Sequence, residues 1–212
     1  MNSDQYYQFP RSEMLSVLPY NYSKVLEVGC GAGSFIKSLN KDIESWGVEQ
    51  DTSAAALAAR HLDRVLVGQY QSVCEEIPDT YFDLIICNDV IEHIDHYIHF
   101  LNNIKSKLSN NGALLMSVPN VRFLPNLFEL LVSKDWRYRN AGILDKTHLR
   151  FFTRKSLCRT LDELGWKIET IQGINRYGNK SFGPKRCLSY LCQPLLGTDT
   201  AYMQFAVRAR KA

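Results

Sequence analysis

Three glycines alternate with other residues directly after a short apolar run, in the segment VLEVGCGAGS at residues 25–34. They are Gly29, Gly31 and Gly33, and the acid Glu27 stands two positions before the first of them. Glycine is favoured where the backbone needs a positive φ or must approach a ligand more closely than a Cβ allows. A strand that runs through such a loop into a helix directs backbone N–H groups and the positive end of the helix dipole at one place. The segment therefore predicts a nucleotide-binding loop.

The spacing of the glycines separates two kinds of nucleotide site. The dinucleotide-binding pattern G-x-G-x-x-G has its third glycine five positions after the first. That position is Ser34 in this chain, so the spacing argues against an oxidoreductase that uses a nicotinamide dinucleotide.

A second acid lies where a nucleoside ligand needs one. Glu49 ends the predicted second strand, twenty residues after Gly29. A carboxylate at this place can accept hydrogen bonds from both ribose hydroxyls. A solvated acid at a strand end is the alternative, but the register relative to the glycine loop favours a ligand. Asp51, two positions later, is better interpreted as the N-cap of the following alanine-rich helix.

Strand-like and helix-like hydrophobic patterns alternate along the chain and predict the frame that positions these residues. The predicted strands are 24–28, 45–50, 64–68, 81–88, 112–120, 166–174 and 201–209, and the predicted helices are 34–40, 53–60, 96–108 and 154–165. This alternation is typical of an α/β, Rossmann-like fold, and we expect a seven-stranded, mostly parallel sheet with helices on both faces and an antiparallel last strand. A polar loop with Gly178, Gly183 and Pro184 is expected before the last strand. Residues 1–212 are expected to form a single domain.

Residues 121–152 interrupt this alternation after the fifth strand with an insertion rich in aromatic and basic residues. Aromatic rings together with guanidinium groups suit a sugar ring, a base or a phosphate. RNA would suit the same mixture, but the chain contains no basic run of five or more residues, so nucleic acid is not the expected partner. The predicted substrate contacts are Trp136, Arg137, Tyr138, Arg139 and Arg150.

Charge is divided unevenly between the two parts of the chain. Residues 1–121 carry 8 Lys/Arg and 15 Asp/Glu, a net charge of −7, whereas residues 122–212 carry 17 Lys/Arg and 7 Asp/Glu, a net charge of +10. This division predicts that the second part meets an anionic ligand. From charge alone, a solvated basic face is an equally good interpretation.

Composition and cysteine usage indicate a cytoplasmic globular protein. The chain has 212 residues, of which 45% are hydrophobic and 22% charged. Its six cysteines form no C-x-x-C pair and are expected to be reduced. The N-terminal segment MNSDQYYQFP lacks the basic and apolar regions of a signal peptide. No apolar run approaches the roughly 20 residues of a membrane-spanning helix. The oligomeric state stays open.

Three segments together resemble class I S-adenosylmethionine (SAM) methyltransferases. VLEVGCGAGS resembles the E/D-x-G-x-G-x-G loop of that class, and FDLIICNDVIEHI, residues 82–94, resembles its fourth strand and the loop that follows. DKTHLRFFTRKSLCRTLDELGW, residues 145–166, resembles a stretch of the broad group that methylates ubiquinone precursors and other small molecules. This stretch and the insertion are most similar to members found alongside polysaccharide biosynthesis enzymes. The resemblance extends from residue 10 to about residue 175 and implies the fold described above, with SAM as the cofactor.

The resemblance also implies which residues bind the cofactor. Glu27 would take the methionine ammonium, and Glu49 would take the ribose hydroxyls. Gln69 stands where the family often has an acid that meets the adenine amino group, so a glutamine carbonyl would make that contact. The implied set is Glu27, Gly29, Cys30, Gly31, Gly33, Glu49, Gln50, Gln69, Asn88, Asp89 and Val90.

Histidines are concentrated after the predicted fourth strand, in the segment EHIDHYIH. His93, His96 and His99 are spaced three apart, but on a helix with about 3.6 residues per turn they drift around the axis, so we expect no metal site there or elsewhere in the chain. His93, together with its neighbour Glu92, is instead expected to form a wall of the pocket.

A general base with a pKa near neutrality would help methyl transfer to an oxygen atom. His148 is the preferred candidate, with Asp145 three residues earlier to orient its ring, and His93 is the second candidate. A structural histidine that is bonded to the insertion backbone is the alternative interpretation of His148.

Together these observations predict a SAM-dependent methyltransferase that methylates an oxygen of a small-molecule or saccharide-type, anionic acceptor. Methylation of nitrogen, in an amino sugar or another small molecule, is the first alternative. A non-catalytic SAM-fold scaffold in a polysaccharide assembly complex is the second, although the complete cofactor loop argues against it.

Overall fold

Seven strands form one sheet in the computed structural model, which describes residues 11–39, 42–178 and 184–212. In chain order they are β1 (Lys24–Val28), β2 (Glu44–Glu49), β3 (Arg64–Val67), β4 (Phe82–Asn88), β5 (Leu108–Pro119), β6 (Trp166–Arg176) and β7 (Tyr202–Lys211). Three sequence-based expectations fall outside the described ranges: those for the N-terminal segment 1–10, for the end of the first helix at residue 40, and for Gly183.

The strands lie in the order β3-β2-β1-β4-β5-β7-β6. Strands β1 to β5 pair in parallel, whereas β7 runs antiparallel to both β5 and β6, which confirms the predicted mostly parallel sheet. The strand order changes direction between the neighbours β1 and β4. In open α/β sheets, ligands bind beyond the carboxyl ends of the strands at such a switch point. The glycine loop after Val28 and the segment after Asn88 therefore lie side by side at the expected binding edge.

Seven α-helices flank the strands within the described ranges: α1 (Ser34–Lys37), α2 (Thr52–Ala58), α3 (Tyr70–Val73), α4 (Tyr97–Lys107), α5 (Leu124–Leu131), α6 (Arg154–Glu163) and α7 (Pro184–Leu196). Asp51 caps α2 as predicted, since its carboxylate accepts the N–H groups of Ser53 and Ala54 at 2.9 Å each. Thr153 forms a reciprocal capping box with Ser156 at the start of α6. These caps fix the points at which the chain leaves the binding edge.

Hydrophobic side chains fill both faces of the sheet. Ile85 and Cys87 of β4 belong to the cluster on one face, and Leu84 and Ile86 belong to the cluster on the other. Successive side chains of a strand point to opposite faces, and a parallel sheet between helices is buried on both sides. The central strands are therefore held rigidly, and their carboxyl ends form a firm base for the site.

The insertion leaves the sheet at the end of β5 and returns to the same place. The N–H of Val121 donates to the carbonyl of Phe152 at 3.0 Å, and Asn120 pairs with Phe152 in an isolated parallel bridge. Further along, the N–H of Leu149 donates to the carbonyl of Glu92 at 2.8 Å. The insertion therefore lies over the carboxyl edge of the sheet, against the segment that follows β4. It contains α5, which the hydrophobic pattern did not predict.

The segment before the last strand differs from its prediction. A polar loop was expected around Pro184, but α7 begins at that residue and continues to Leu196, with Pro194 inside it. Proline is tolerated at the first position of a helix, where its missing N–H would be unpaired anyway, so the proline that suggested a loop instead starts a helix. Strand β5 also begins at Leu108, directly after α4 ends at Lys107, rather than at residue 112.

Candidate active site

The glycine loop after β1 has the backbone conformation that glycine permits. All three loop glycines have positive φ angles: 70° at Gly29, 53° at Gly31 and 77° at Gly33. The N–H groups of Gly29 and Cys30 donate to the carbonyl of Val48 in β2, at 2.8 and 3.1 Å, and fix the loop against the neighbouring strand. A Cβ added to Gly29 would lie only 3.1 Å from Cγ2 of Val90, so the loop and the segment after β4 approach each other closely here.

Glu49 lies at the end of β2, beside this loop, and is only 6% exposed. Its Oε2 accepts the N–H of Gly31 at 2.8 Å, and its Oε1 accepts the N–H of Asp51 at 2.9 Å. The carboxylate is thus held in one orientation by two backbone donors. Each oxygen keeps a second lone pair, which suits a ligand that offers two hydroxyl groups.

Glu27 is a buried carboxyl with an unsatisfied oxygen. Its side chain is 3% exposed, and Oε2 has no hydrogen-bond partner among the described residues. Burial raises the pKa of Glu27 to about 8, although the backbone N–H of Ile36 and the positive charge of Arg11 act in the opposite direction. An ammonium group bound here would supply both the charge and the donor that this carboxyl lacks.

Asn88, the last residue of β4, has the same deficit. Both polar atoms of its side-chain amide are buried without a well-formed hydrogen bond among the described residues, although the amide lies close enough to Glu27 to lower the pKa of that carboxyl. Buried polar groups are normally paired, so two adjacent unsatisfied groups indicate a polar ligand. The ammonium and carboxylate of the methionine part of SAM offer the complementary donors and acceptors, and the residues present fit that group.

Asp89 holds the structure of the site through a network that the sequence did not reveal. Its carboxylate accepts hydrogen bonds from Arg11 at 2.6 Å, from Ser117 at 2.7 Å, and from Gln204 at 2.7 and 2.8 Å. Its own backbone has a φ of 52°, which is unusual for a residue other than glycine and is typical of functional sites. These three partners come from distant parts of the chain and carry no motif, so sequence spacing could not have identified them.

The other implied cofactor residues contribute in different ways. The side chain of Cys30 points into the core, where a Cβ on Gly47 would lie 2.6 Å from its Sγ, so Cys30 faces the loop only through its backbone. Gln50 and Gln69 are exposed, at the carboxyl ends of β2 and β3. Their side chains are therefore accessible from the edge at which the nucleoside would lie.

A cluster of potential ligand or proton-transfer groups lies one turn after Asn88, Asp89 and Val90. Glu92 and His93 belong to a short 3₁₀ turn, Ile91–His93, and His148 comes from the insertion. The ring centroids of the two histidines are 4.7 Å apart, and one potential ligand atom from each of the three residues lies within 4.8 Å of the others. We call these three residues the Glu92 cluster.

The groups of the Glu92 cluster are electrically unusual. Glu92 is fully buried, neither of its carboxylate oxygens has a hydrogen-bond partner among the described residues, and burial raises its pKa, helped by the charge of Asp89. Burial also lowers the pKa of His93, followed by repulsion from His148. The structure therefore holds a buried acid beside two imidazoles, of which His93 is biased toward its neutral form.

The structure corrects the predicted orientation of His148. Asp145 does not bond to this ring, because its carboxylate accepts the N–H and the hydroxyl of Thr147 at 2.8 and 2.7 Å. The Nδ1 of His148 instead lies 2.9 Å from the carbonyl of Ile143. Of the three histidines in the segment EHIDHYIH, only His93 belongs to the cluster, since His96 is exposed at the N-cap of α4 and His99 is exposed on that helix. The partner that the sequence did not connect to His93 is His148, more than fifty residues away.

Aromatic side chains of the insertion continue outward from the Glu92 cluster. Phe151 contacts the rings of Trp136, Tyr138 and His148, with centroids 5.4, 6.5 and 6.4 Å apart. Beyond them lies an open cleft of about 920 Å³, whose lining includes Phe128, Arg137, Tyr138, Arg139 and Tyr177. The insertion thus offers an aromatic wall that connects the cluster, through Phe151 and Tyr138, to the cleft.

Two of the three arginines predicted to contact the substrate are already paired. Arg139 forms an ion pair with Glu129, and Arg150 forms one with Asp95 at 3.2 Å while also donating to its carbonyl. Arg137 is exposed and takes part in no ion pair among the described residues. Of the two arginines that line the cleft, Arg139 is therefore paired within the protein, and Arg137 is the one without an ion pair among the described residues.

Comparison with known proteins identifies the family to which this chain belongs. Residues 7–171 match the model of a family described as a methyltransferase domain. The chain belongs to this family. A solved SAM-dependent methyltransferase from Archaeoglobus fulgidus has the same fold, with a TM-score of 0.70, 18% identity and coverage of 94% of this chain and 92% of that one. The methyltransferase uses SAM as its cofactor, in keeping with the unsatisfied groups at Glu27 and Asn88.

Its relatives in sequence are named as O-methyltransferases. The chain is 26% identical over 163 residues to the mitochondrial ubiquinone biosynthesis O-methyltransferase of Schizosaccharomyces pombe. The aligned region covers 73% of this chain and 59% of the relative. It is 29% identical over 157 residues to the ubiquinone biosynthesis O-methyltransferase of Rickettsia conorii, and this aligned region covers 71% of this chain and 53% of the relative. The chain thus spans little more than half the length of these relatives. Within its described ranges, no helix is both long and apolar enough to cross a membrane.

Proposed function

We propose that the methyltransferase transfers a methyl group from SAM to a hydroxyl oxygen of a small-molecule acceptor. SAM supplies an activated methyl group on its sulfonium. The observation that carries the choice of oxygen is the Glu92 cluster, which lies one turn beyond the predicted methionine site. A hydroxyl must lose a proton to become a strong nucleophile, whereas a neutral amine attacks through its lone pair and needs less help. The names of the sequence relatives support the same choice.

The proposed cofactor contacts follow the geometry of the binding edge. Glu27 and Asn88 would hold the methionine end, and Glu49 would accept the ribose hydroxyls. The backbone of the glycine loop, of Asp89 and of Val90 would line the ligand, and Gln50 and Gln69 would lie beside the nucleoside. No residue in this set has to move far, because Glu49 and Asp89 are already fixed by two or more hydrogen bonds.

Deprotonation of the acceptor is assigned to the two histidines of the cluster, with His148 first and His93 second. The Ile143 carbonyl, 2.9 Å from Nδ1 of His148, favours the tautomer that carries its proton on Nδ1 and leaves Nε2 free. The Thr147 carbonyl stands in a similar relation to Nδ1 of His93, at 3.3 Å. Both rings can thus present an unprotonated nitrogen toward the acceptor.

The cleft of the insertion is the proposed acceptor site. Its aromatic lining suits a flat ring or the apolar face of a sugar, and Arg137 suits a carboxylate or phosphate. The saccharide-type, anionic acceptor therefore stays part of the proposal, with its charge recognition resting on Arg137 rather than on all three arginines. A cytoplasmic location and a single domain over residues 1–212 also remain predictions.

A direct test is a transfer assay with SAM that carries a tritiated methyl group. The acceptors would be a carboxylated phenol, a sugar nucleotide with free hydroxyls, and an amino sugar, with the position of the added methyl group determined by mass spectrometry. We expect the methyl group on a hydroxyl oxygen. Methylation of the amino nitrogen alone would contradict the proposal, and binding of S-adenosylhomocysteine without transfer to any acceptor would favour the scaffold.

A further inference from the structure

Arg176, the last residue of β6, forms no ion pair within the described ranges. Its side chain is partly buried, and its Nε and Nη2 atoms are buried without a hydrogen-bond partner among the described residues. A guanidinium does not lose its proton in a protein, so neutralisation cannot relieve the burial of this charge. A buried charge that lacks hydrogen bonds is costly. Arg176 therefore needs an acceptor that the described residues do not supply.

Arg122 shows how another arginine at the same edge of the sheet is satisfied. Its Nε donates to the carboxylate of Asp199 at 2.8 Å, and its Nη2 donates to the carbonyl of Leu196. In Arg176, Nη1 lies 3.4 Å from the hydroxyl of Tyr202, whereas Nε and Nη2 have no acceptor among the described residues. These two nitrogens direct their N–H groups along one side of the guanidinium, which can bind a carboxylate or a phosphate through two parallel hydrogen bonds. The part of Arg176 that lacks a partner is thus a complete anion-binding fork.

Two tyrosine rings hold the guanidinium of Arg176 in place. Its Cζ lies 4.6 Å from the ring centroid of Tyr190 in α7 and 5.5 Å from that of Tyr202 at the start of β7. An aromatic face attracts the cation, but it does not replace hydrogen-bond acceptors in the plane of the guanidinium. Tyr190 is 47% exposed, so its ring can turn aside and let an anion reach the fork from solvent. The rings therefore orient the fork in advance without using its donors.

Arg176 lies at the edge of the sheet where the site is built. Strands β5 and β6 both run antiparallel to β7, so the end of β6 is at the same edge as the end of β5. The next residue, Tyr177, lines the cleft of the insertion. The preceding residue, Asn175, donates to Gln204 at 2.6 Å, and Gln204 donates to the carboxylate of Asp89 at 2.7 and 2.8 Å. Arg176 is thus adjacent along the chain to the acceptor cleft on one side and to the network at the cofactor edge on the other.

We propose that Arg176 binds an anionic group of the acceptor through Nε and Nη2, and that this group is a carboxylate or a phosphate. The inference rests on the proposed function and narrows it to acceptors that carry such a group. Arg176 should distinguish charged from neutral acceptors more strongly than the exposed Arg137, because solvent and salt screen a buried charge less. Its role is to bind and orient the acceptor, and it takes no part in proton transfer.

The first test measures binding without any activity. The complete chain, labelled with ¹⁵N, would be titrated with benzoate, with phenyl phosphate and with the neutral analogue benzyl alcohol. We expect both anions to shift the Nε–H signal of Arg176 in a saturable way, with this signal assigned by its absence from Arg176→Lys. The backbone N–H signal of Tyr177 follows binding in the variants. Unchanged affinity for S-adenosylhomocysteine would show that the variants are folded.

The variants separate the fork from its charge. Arg176→Gln should bind both anions at least tenfold more weakly and benzyl alcohol as the wild type does. Arg176→Lys keeps the charge without the fork and should recover only part of the anion affinity. Arg159→Gln, on the exposed surface of α6, is the matched control and should bind all probes normally. Anion affinity that Arg176→Gln retains would overturn the proposal, and so would an equal loss of benzoate and benzyl alcohol binding.

Thermal unfolding distinguishes a ligand contact from a structural role. The substitution Arg176→Met removes a poorly solvated cation together with its aromatic contacts, so we expect the Tm of the ligand-free chain not to fall. Phenyl phosphate at about 20 mM and constant ionic strength should raise the Tm of the wild type but not that of Arg176→Met. A lower Tm in ligand-free Arg176→Met, with no effect of phenyl phosphate on the wild type, would make Arg176 a structural residue and overturn the proposal.

The outcomes for the anion site and for the proposed function are separable. Benzoate binding that depends on Arg176, without methyl transfer to any hydroxyl, supports the anion site while the proposed function fails. Methyl transfer to a hydroxyl of an anionic acceptor, with the same KM in Arg176→Gln as in the wild type, overturns the anion site and leaves the proposed function intact. Tighter binding of inorganic phosphate than of phenyl phosphate and benzoate would indicate a site for free phosphate and overturn the assignment to the acceptor.

Discussion

The cofactor edge and the acceptor side of this site are built by different means. At the cofactor edge, the glycine loop, Glu27 and Glu49 all come from the first two strands, and their backbones are fixed by hydrogen bonds between neighbouring strands. On the acceptor side, the insertion lies over the sheet through a few long-range contacts, and its aromatic side chains Trp136, Tyr138 and Phe151 are exposed or only partly buried. The first region is a rigid part of the fold, whereas the second is an attachment to it.

Their electrostatics differ in the same way. Glu27 at the cofactor edge is buried with an unsatisfied oxygen, so its partner has to come from a ligand. Arg139 and Arg150 on the acceptor side already have acidic partners within the protein. The difference indicates that cofactor recognition is fixed in advance, while acceptor recognition depends on fewer groups. Substitutions should therefore have their largest effects at the cofactor edge and their smallest effects in the cleft.

The substitution Gly31→Val should have the largest effect on cofactor binding. Gly31 has a φ of 53°, and a branched side chain would be strained there and would fill the space that a ligand needs. We expect no measurable binding of S-adenosylhomocysteine by calorimetry. The matched control is Gly142→Ala, since Gly142 has a φ of 88° but a Cβ added there would meet no atom within 4 Å. Wild-type affinity in Gly31→Val would place the cofactor elsewhere.

The substitution His148→Ala should reduce turnover without changing cofactor affinity. Loss of a group that helps to remove the acceptor proton is expected to lower kcat by about 10²–10⁴-fold. His99→Ala provides a matched loss of an imidazole on the exposed surface of α4 and should leave kcat unchanged. A decrease of less than tenfold in kcat for His148→Ala would shift the assignment to His93.

The substitution Glu49→Ala should weaken binding of S-adenosylhomocysteine by roughly 1.5–3 kcal/mol, because hydrogen bonds to a charged acceptor are lost. The same carboxylate accepts the N–H groups of Gly31 and Asp51, so its removal also releases the loop, and we expect a value near the upper end. Calorimetry at one pH measures the change. An unchanged dissociation constant would mean that Glu49 serves the loop alone.

The raised pKa of Glu27 predicts that cofactor affinity depends on pH. Burial raises this pKa to about 8, so the carboxyl is mostly protonated at pH 7, and its charged form is the one that an ammonium group favours. Ligand binding below pH 8 must then release a proton, and affinity for S-adenosylhomocysteine should rise roughly five-fold from pH 7 to pH 8. The folding stability of the ligand-free chain should change in the opposite direction from ligand affinity. It should fall as the pH rises toward 8, because ionisation of this buried acid destabilises the folded state. Glu27→Gln should abolish the pH dependence, and calorimetry in buffers of different ionisation enthalpy detects the released proton.

The two regions also differ in how well the sequence predicted them. The cofactor edge follows from short spacings, since Gly29 and Glu49 are twenty residues apart and parallel strands bring their ends together. Asp51 could be recognised as a cap because capping is a local interaction. Strand alternation predicted the sheet for the same reason, whereas α7 was not predicted because Pro184, together with Gly178 and Gly183, indicated a loop.

Contacts between distant segments could not be predicted in this way. The pairing of His93 with His148 depends on where the insertion returns to the sheet, and the acids that neutralise Arg139 and Arg150 depend on its internal packing. Gln204 of β7 and Arg11, which precedes β1, are far from Asp89 in the sequence and contact it only through the tertiary structure. These contacts have no local signature, and they are the ones that changed the predicted roles of Asp145 and of two arginines.

The smallest expected effect is that of Arg137→Ala on an anionic acceptor. Arg137 lines the cleft, is exposed and has no ion pair among the described residues, so its charge remains available, but solvent and salt screen it. We expect the KM for a carboxylated or phosphorylated acceptor to rise about two- to five-fold at low salt, consistent with about 0.4–1 kcal/mol for an exposed charge, with kcat little changed. The difference from the wild type should shrink as salt increases.

Arg159→Ala, an exposed arginine on α6 that does not line the cleft, is the matched control and should leave KM unchanged. An equal rise in KM for a neutral acceptor would show that Arg137 acts by packing in the cleft and not by charge.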